Sequence, residues 1–388
     1  MKNFNYLPSF VLLMTLLSGC GGSGAGTVGN DGDPRIDGIN GAIEDGETPP
    51  PSSKTYYGGP AASDVQERHE ANDAPYTNYP SYDAANIDTT TLSGKLTGTT
   101  TLDKTKQYKI DGLVKIDNGA TLTIPAGTVI FGDENGDDYI VVMQGAKIIA
   151  DGTESEPIVF TSETALKDPL DSDVGQWGGL VLLGKAPTNH NNPRYEVDEN
   201  DPDFAFGGTV TNDNSGILRH IKILNSGKTL GTDLEINGLS LAGVGSGTTV
   251  ENITVINSSD DCVEIWGGTV NVSNISMANC QDDSFDLDYG YVGTATNITV
   301  VQTEQAHAGF EISSGGDNPM TAPTIENFSI VKVDGSDEGG IYIKDDTTAP
   351  SFVNGVVTTL SDDANINTKK AFTPTQKSTI AFKDVILK

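Results

Sequence analysis

Two short stretches of this sequence carry paired carboxylates, which can bind metal ions or transfer protons. The first is SSDDCVEIWGGTV, residues 258–270, and the second is CQDDSFDLDYG, residues 280–290. Carboxylates can coordinate a hard cation such as calcium, and a pair can act as the acid and base of a glycoside hydrolase. They can also accept hydrogen bonds from backbone N–H groups at turns. The choice among these roles depends on the strands that position the residues.

The composition limits the partners of the protein. The chain of 388 residues contains 54 Asp+Glu against 23 Lys+Arg, a formal net charge of -31. Nucleic acid and anionic lipid would both be repelled by this charge, so we expect neither as a ligand. The charge suits calcium or another cation. The 45 glycines indicate many turns.

The positioning elements are short strands that repeat along the chain. Nine-residue segments such as TVENITVIN (249–257), NVSNISMAN (271–279) and TATNITVVQ (294–302) align without gaps. One column of the alignment contains His220, Asn252, Asn274, Asn297, Asn327, Asn354 and Asp384. An interval near 22 residues, with variable insertions, predicts an all-β fold: a right-handed parallel β-helix, or single-stranded solenoid, with an asparagine ladder.

A second strand of each coil contains the acidic residues. It reads GLSLAG, CVEIWGG, SFDLDYG, GFEISSG and GIYIKDD from residues 238, 262, 284, 309 and 340. The period of two directs the apolar residues inward. It directs the intervening residues outward: Ser240, Glu264, Asp286, Glu311 and Tyr342. Neighbouring carboxylates in this column would lie about 4.8 Å apart, so their repulsion requires a proton, a cation or water.

Three interpretations of this acidic face remain open: turn capping, calcium binding and polysaccharide cleavage. The calcium ligands would come from Asp260, Asp261, Glu264, Asp282, Asp283, Asp286, Asp288 and Glu311. The cleavage residues would be Asp260, Asp261, Asp282 and Asp283, flanked by His307 and Lys344. Trp266, Tyr289 and Tyr342 are the candidate ligand-binding aromatic residues. The loops GDENGDDY (132–139) and EVDENDPDF (196–204) are further acidic segments of calcium-like character.

The N-terminus reads as a targeting segment. Lys2 precedes an apolar run from residue 7 to 17, which is too short to span a bilayer. The following LSGC resembles the lipobox of bacterial lipoproteins, which implies cleavage before Cys20 and acylation of its thiol. Gly21 after the cysteine implies the outer membrane in such lipoproteins, facing the cell surface or the periplasm. We therefore predict a signal peptide (1–19), a flexible tether (20–92) and a β-helix domain (93–388).

The segments QWGGLVLLGKAPTN, EINGLSLAGVGSGTTVENITV, SSDDCVEIWGGTVNV and DDSFDLDYGYVGTATNI together resemble a family of bacterial cell-surface β-helix proteins. The resemblance covers residues 93–355. It implies the fold and a surface location and says little about activity.

A partial resemblance to polygalacturonases allows two registers. In the first, Asp260-Asp261-Cys262 matches the D-D-C motif, which implies a disulfide between Cys262 and Cys280. In the second, Asp282-Asp283 takes that place, His307 stands for the histidine of H-G, and Lys344 stands for the lysine of R-x-K. The arginine of R-x-K is absent in this register, and Ala308 replaces the glycine of H-G.

The sequence therefore predicts a surface-anchored lipoprotein whose β-helix binds a glycan or another surface ligand, with calcium stabilising the acidic face. The alternative is a glycoside hydrolase or polysaccharide lyase that uses residues 260–288.

Overall fold

The chain winds into a parallel β-helix, in which strands of successive coils pair side by side. The computed structural model describes residues 88–168, 173–198, 201–231, 234–302, 306–316, 318–332, 338–359, 366–368 and 380–387. All strand pairs among these residues are parallel. The predicted all-β class and right-handed parallel β-helix are confirmed.

The N-terminal coils are irregular in length. Their strands are β1 (Thr89–Leu96), β2 (Thr99–Thr101), β3 (Gln107–Ile116), β4 (Thr121–Ile124), β5 (Val129–Gly132), β6 (Tyr139–Val142), β7 (Lys147–Asp151), β8 (Ile158–Ser162) and β9 (Leu180–Leu183). One short helix, α1 (Glu163–Lys167), follows β8, and the side chain of Ser162 caps it. Short 3-10 turns occur at Glu196–Asp198 and Pro202–Phe204.

The C-terminal coils alternate long and short strands. They are β10 (Gly216–Ser226), β11 (Leu239–Ala242), β12 (Thr249–Ser258), β13 (Val263–Trp266), β14 (Val272–Cys280), β15 (Phe285–Asp288), β16 (Thr294–Gln302), β17 (Phe310–Ile312), β18 (Thr324–Lys332), β19 (Ile341–Ile343), β20 (Ser351–Thr359), β21 (Ile366–Thr368) and β22 (Ala381–Leu387). The short strands β9, β11, β13, β15, β17, β19 and β21 pair in that order. We call the sheet that they form the short-strand sheet.

The long strands bend at the predicted asparagine column. Every residue of that column, from His220 to Asp384, has a positive φ, and the values lie between 48° and 59°. Asparagine tolerates this left-handed conformation better than most residues. The amide of Asn297 donates to Oδ1 of Asn274 at 2.8 Å, and Asn354 donates to Asn327 at 3.3 Å. The predicted ladder is thus confirmed, and it turns the chain from one sheet into the next.

An aromatic column fills part of the solenoid interior. The rings of Phe285, Phe310, Phe328 and Phe352 follow one another at centroid distances of 5.8, 5.4 and 5.9 Å. Gly355 is the register partner of Phe328, and a Cβ at residue 355 would lie 2.0 Å from the Phe328 ring. Because Gly355 has no side chain, the phenylalanine ring of the neighbouring coil can occupy the interior space beside it.

A long connection covers the outer face of the short-strand sheet. We call it the strap: residues 184–215, which join β9 to β10 and are described except for 199–200. Its side chains Tyr195, Phe204 and Phe206 expose only 1%, 3% and 4% of their surface. They form a second hydrophobic cluster with residues of the sheet, outside the main core. The outer face of this sheet is therefore partly an interior surface.

The first part of the strap runs across successive coils. Three backbone hydrogen bonds of 2.8–3.0 Å attach it: Ala186 N to Gly243 O, Gly268 N to Pro187 O, and Asn189 N to Tyr289 O. The side-chain amide of Asn189 then reaches the next coil, where it donates to the carbonyl oxygens of Ser314, Gly316 and Pro319. A Cβ at Gly267 would lie 2.7 Å from Thr188, so this close crossing requires the glycine.

The first strand begins at Thr89, a few residues before the boundary that we predicted at residue 93. The predicted signal peptide, Cys20 and nearly all of the tether lie outside the described residues. In the described part of the chain, no helix is long and apolar enough to cross a membrane.

Candidate functional site

Three acidic side chains form a row on the outer face of the short-strand sheet. Glu264 in β13, Asp286 in β15 and Glu311 in β17 are direct register partners. Ser240 precedes them in the row and Tyr342 follows. The predicted register is confirmed, and we call Glu264, Asp286 and Glu311 the carboxylate column.

The carboxylate column is buried, which the strand alternation did not predict. Glu264, Asp286 and Glu311 expose 8%, 9% and 2% of their surface. The strap contributes to this cover, since the hydroxyl of Tyr195 lies 3.0 Å from Oγ of Ser240 in the same row. Burial, followed by the charges of neighbouring carboxylates, raises the pKa of Glu264 and of Asp286 well above the ordinary value. The site therefore favours a proton or a cation.

The members of the carboxylate column differ in their hydrogen-bond partners. Glu264 accepts a hydrogen bond from the amide of Asn237 at 2.6 Å. Glu311 accepts one from the ammonium of Lys344, also at 2.6 Å. Oδ1 of Asp286 is buried and has no hydrogen-bond partner among the described residues. An unpaired buried carboxylate oxygen is costly, and a cation at Asp286 would remove that cost.

Asp261 and Asp283 form a ladder with the backbone of the following coil. Oδ1 of Asp261 accepts the N–H of Asp283 at 2.8 Å, and Oδ1 of Asp283 accepts the N–H of Ala308 at 2.5 Å. Asn237 begins the ladder by accepting the N–H of Asp261 at 3.2 Å. The predicted turn-capping role is thus realised by these two aspartates. The ladder uses one oxygen of each carboxylate, which leaves the second for a cation or a proton.

Carboxylate oxygens of adjacent coils converge in three groups, each with its oxygens within 4.8 Å of one another. The groups are Asp260–Asp261–Asp282, Asp261–Glu264–Asp286 and Asp283–Glu311–Glu338. Hard oxygen donors of this kind fit calcium, which takes six to eight oxygen ligands. The three groups contain seven of the acidic residues that the sequence suggested as ligands, together with Glu338.

A second row runs along the edge of the site, from the buried Asp260 to more exposed residues. Asp260, Asp282, His307 and Glu338 occupy equivalent positions before successive short strands, and we call them the rim column. Nδ1 of His307 contacts Asp282 and lies 3.8 Å from Glu338. The hydrogen bond to Asp282 raises the pKa of His307. Burial, followed by the charges of Glu235 and Asp282, raises the pKa of Asp260 to about 7.

The three aromatic residues suggested as ligand platforms do not form an exposed surface. Trp266 exposes 7% of its surface and packs edge-on against Tyr195 of the strap, with centroids 5.1 Å apart. Tyr289 is half-buried and stacks with His190 at 3.8 Å. Tyr342 exposes 6%. The expectation of outward stacking was wrong for Trp266, because the strap occupies the place that a ligand would take.

The remaining candidates have other partners. Asp288 accepts a hydrogen bond from the N–H of Tyr289 and belongs to none of the three described groups. In the acidic loop 132–139, Asp133 pairs with Lys109 at 2.9 Å. In the loop 196–204, Asp201 pairs with Lys115 at 3.4 Å. Lysine thus supplies the counter-charge in both loops.

Cys262 and Cys280 form a disulfide, with their Cα atoms 5.5 Å apart. Both cysteines are fully buried. The bond joins the start of β13 to the end of β14, so it ties one coil to the next directly behind the carboxylate groups.

Two residues of the site were missed from the sequence. Asn237 aligns with Asp261 and Asp283 in the repeat, so the alignment could have identified it as the first member of the ladder. Glu338 aligns with His307 in the same way. The strap has no repeat pattern, and nothing in its sequence indicates which face of the solenoid it covers.

Two comparisons with known proteins find similar chains. A family model described as pectate-lyase-like beta helix domain matches residues 94–388. Among solved structures, the crystal structure of Dettilon tailspike protein (gp208) is similar, with 11% identity and a TM-score of 0.30. That similarity covers 77% of this chain and 62% of the tailspike chain. A third comparison, with curated proteins, gives no match.

Proposed function

The chain belongs to the family of pectate-lyase-like β-helix domains, and we propose that it is a binding module that holds a calcium ion in its acidic face to recognise a glycan. The observation that carries the calcium proposal is the buried Oδ1 of Asp286, which has no hydrogen-bond partner among the described residues. This oxygen belongs to a residue of the Asp261–Glu264–Asp286 group. Calcium would satisfy the oxygen and offset the repulsion within the carboxylate column.

The calcium proposal is tested by removing one charge at the centre of the group. Asp286→Asn should abolish calcium binding measured by isothermal titration, and it should remove the rise in melting temperature that calcium produces in the wild-type protein. Glu154→Gln is the matched control, because Glu154 is an exposed carboxylate away from the face. Wild-type protein with the same melting temperature in calcium and in EDTA would contradict the proposal.

The glycan part of the proposal rests on the geometry of the rim column. Asp282 and His307, whose side chains are 41% and 52% exposed, follow one another along the solenoid axis, at a coil spacing of about 4.8 Å. Such a row suits a linear ligand with hydroxyl groups repeated along its length. A calcium ion held by three carboxylates also keeps coordination positions for ligand oxygens, since calcium takes six to eight.

A panel of immobilised polysaccharides tests this part of the proposal. Wild-type protein should be retained on at least one polysaccharide in calcium and should elute in EDTA. Asp286→Asn should not be retained, whereas Glu154→Gln should be. Retention that is equal in calcium and EDTA would separate glycan binding from the metal and refute the coupled proposal.

A second candidate function is polysaccharide cleavage, and one observation favours it. Asp260, with a pKa of about 7, can exist in both protonation states near neutral pH, which suits a general acid. Incubation of the protein with polygalacturonate and a mixed glycan panel, assayed for new reducing ends or unsaturated products, tests this function. Turnover that disappears in Asp260→Asn would establish an enzyme in place of a pure binding module.

The proposed location is the outer membrane, through lipid on Cys20 and the tether that follows it. The resemblance of LSGC to a lipobox supports this location. The anchor would hold the β-helix close to the cell envelope without a transmembrane helix.

A further inference from the structure

Among the residues that the structure describes, one ammonium contacts the carboxylate column, and it lies at one end of the column. Nζ of Lys344 is 2.6 Å from Oε1 of Glu311, whose side chain is 3% exposed, while the lysine side chain is 43% exposed. Although desolvation lowers the pKa of Lys344, the charge of Glu311 and the hydrogen bond to it raise the pKa overall. Lys344 therefore remains a cation at this position.

The ammonium of Lys344 acts on one carboxylate group more strongly than on the others. Glu311, its direct partner, belongs to the Asp283–Glu311–Glu338 group. The charges of Asp286 and then of Asp283 also help to raise the pKa of Lys344, but only Glu311 is shown in direct contact with the ammonium. The direct ion pair with Glu311 thus places a positive charge at this group, where an ion would otherwise bring one.

The Asp261–Glu264–Asp286 group is in a different position. The charges that raise the pKa of Asp261 and of Glu264 come from other carboxylates. The hydrogen bond to Glu264 comes from the neutral amide of Asn237, and the buried Oδ1 of Asp286 has no hydrogen-bond partner among the described residues. From a distance, the charge of Lys344 partly offsets the rise in the pKa of Asp286 that burial causes, but Lys344 makes no hydrogen bond to this Oδ1. The buried oxygen therefore still requires a cation.

The remaining group, Asp260–Asp261–Asp282, cannot add an independent ion. It shares Asp261 with the group that contains Asp286, and Asp282 contacts His307. An ion held through Asp261 and Asp286 therefore leaves this group with only Asp260 and the histidine-paired Asp282.

We propose that Lys344 is a built-in counter-cation that closes the Asp283–Glu311–Glu338 group, so that the protein takes one divalent cation, in the Asp261–Glu264–Asp286 group. This inference rests on the proposed calcium function and deepens it, because it assigns the stoichiometry and the residue that sets it. Removal of the lysine charge opens a second cation site one coil away from the first.

The test is calcium stoichiometry by isothermal titration and by equilibrium dialysis on the full chain. Wild-type protein and Lys344→Arg should bind one calcium per chain, and Lys344→Gln should bind two. The double variant Glu311→Gln, Lys344→Gln should return to one, because the opened group then lacks a carboxylate. Lys147→Gln, at an exposed lysine away from the face, is the control and should bind one.

The outcomes separate this inference from the function on which it rests. One calcium in both wild type and Lys344→Gln overturns the inference and leaves the calcium function standing. Wild-type protein that binds no calcium overturns the calcium function. If Lys344→Gln is too unstable to titrate, its melting temperature is measured with and without calcium. Calcium should raise the melting temperature of Lys344→Gln more than that of the wild type. An equal or smaller rise contradicts the inference.

Discussion

The carboxylates of one column differ in their chemistry because their immediate neighbours differ. Glu264 has an amide, Glu311 has an ammonium, and Asp286 has a carboxylate on either side of it in register. Burial weakens the solvent screening of all three, so each neighbour acts strongly. The central residue of the column is consequently the one that most requires an external cation.

The pH dependence of stability follows from the same burial. The pKa of Asp260 rises from 3.8 to about 7 on folding, so the folded protein binds more protons than the unfolded chain between these values. The stabilisation from protonated Asp260 is complete below about pH 3.8 and is lost as the pH rises through about 7. In EDTA, the melting temperature should therefore rise when the pH is lowered from 8 to 5.

The control for this pH prediction is saturating calcium, measured by differential scanning calorimetry. Calcium binds the ionised carboxylates, so it should reduce the gain in stability on acidification. A melting temperature in EDTA that falls from pH 8 to pH 5 would contradict the prediction.

Asp261 combines a backbone-capping role with a charge, and two substitutions separate them. Asp261→Asn keeps the acceptor for the N–H of Asp283, as Asn237 does one coil earlier. Asp261→Ala leaves that buried N–H unpaired and should lower the free energy of unfolding by about 1–3 kcal/mol. In urea denaturation with EDTA present, the free energy of unfolding of Asp261→Asn should thus be well above that of Asp261→Ala. Equal values for the two variants would argue against the ladder.

At the scale of the strand, the sequence predicts that the carboxylates of the column lie side by side. It does not predict that the strap buries the residues around them. The period of two and the repeat alignment place Glu264 beside Asp286, since the coil length fixes the register. Trp266 shows the limit of that reasoning: alternation turns it outward, but the strap then buries it. The contact of Trp266 with the strap depends on a long insertion that has no periodicity. The alternation of residues within a strand cannot predict where such an insertion packs.

Gly355 gives a test of coil-to-coil packing. A Cβ added at this position would meet the ring of Phe328, so Gly355→Ala should overpack the interior and cost about 1–3 kcal/mol in chemical denaturation. A second change, Phe328→Leu, makes room, and the double variant should recover part of the loss. Additive losses in the double variant would show that the two residues do not share the space.

The disulfide between adjacent coils gives a second test at this scale. Cys262 and Cys280 are 18 residues apart, and closure of a loop of this size is worth about 3 kcal/mol. The Cys262→Ala, Cys280→Ala variant should lose stability of that order by urea denaturation. The wild-type protein measured with a reducing agent is the matched comparison, and it should approach the variant.

At the scale of the whole molecule, the location of the protein can be tested by a single substitution. If Cys20 carries lipid, Cys20→Ser should move the protein from the membrane fraction to the soluble fraction of the cells that express it. The described β-helix should be unchanged, so its circular dichroism and melting temperature serve as controls. A variant that remains in the membrane fraction would refute the anchor.

The strap has a mechanical consequence for the solenoid. A stack of coils in which each touches only its neighbours can open one unit at a time from either end. Residues 186–189 make hydrogen bonds to four consecutive coils, so separation of any one of these coils breaks bonds shared with the others. In a hydrogen-exchange measurement, the backbone amides in the coils of β11, β13, β15 and β17 should therefore show similar protection factors. The amides in the coils of β19 and β21 should exchange faster. The segment that contains the acidic groups should then unfold as one cooperative unit, whereas the coils outside it can open one at a time.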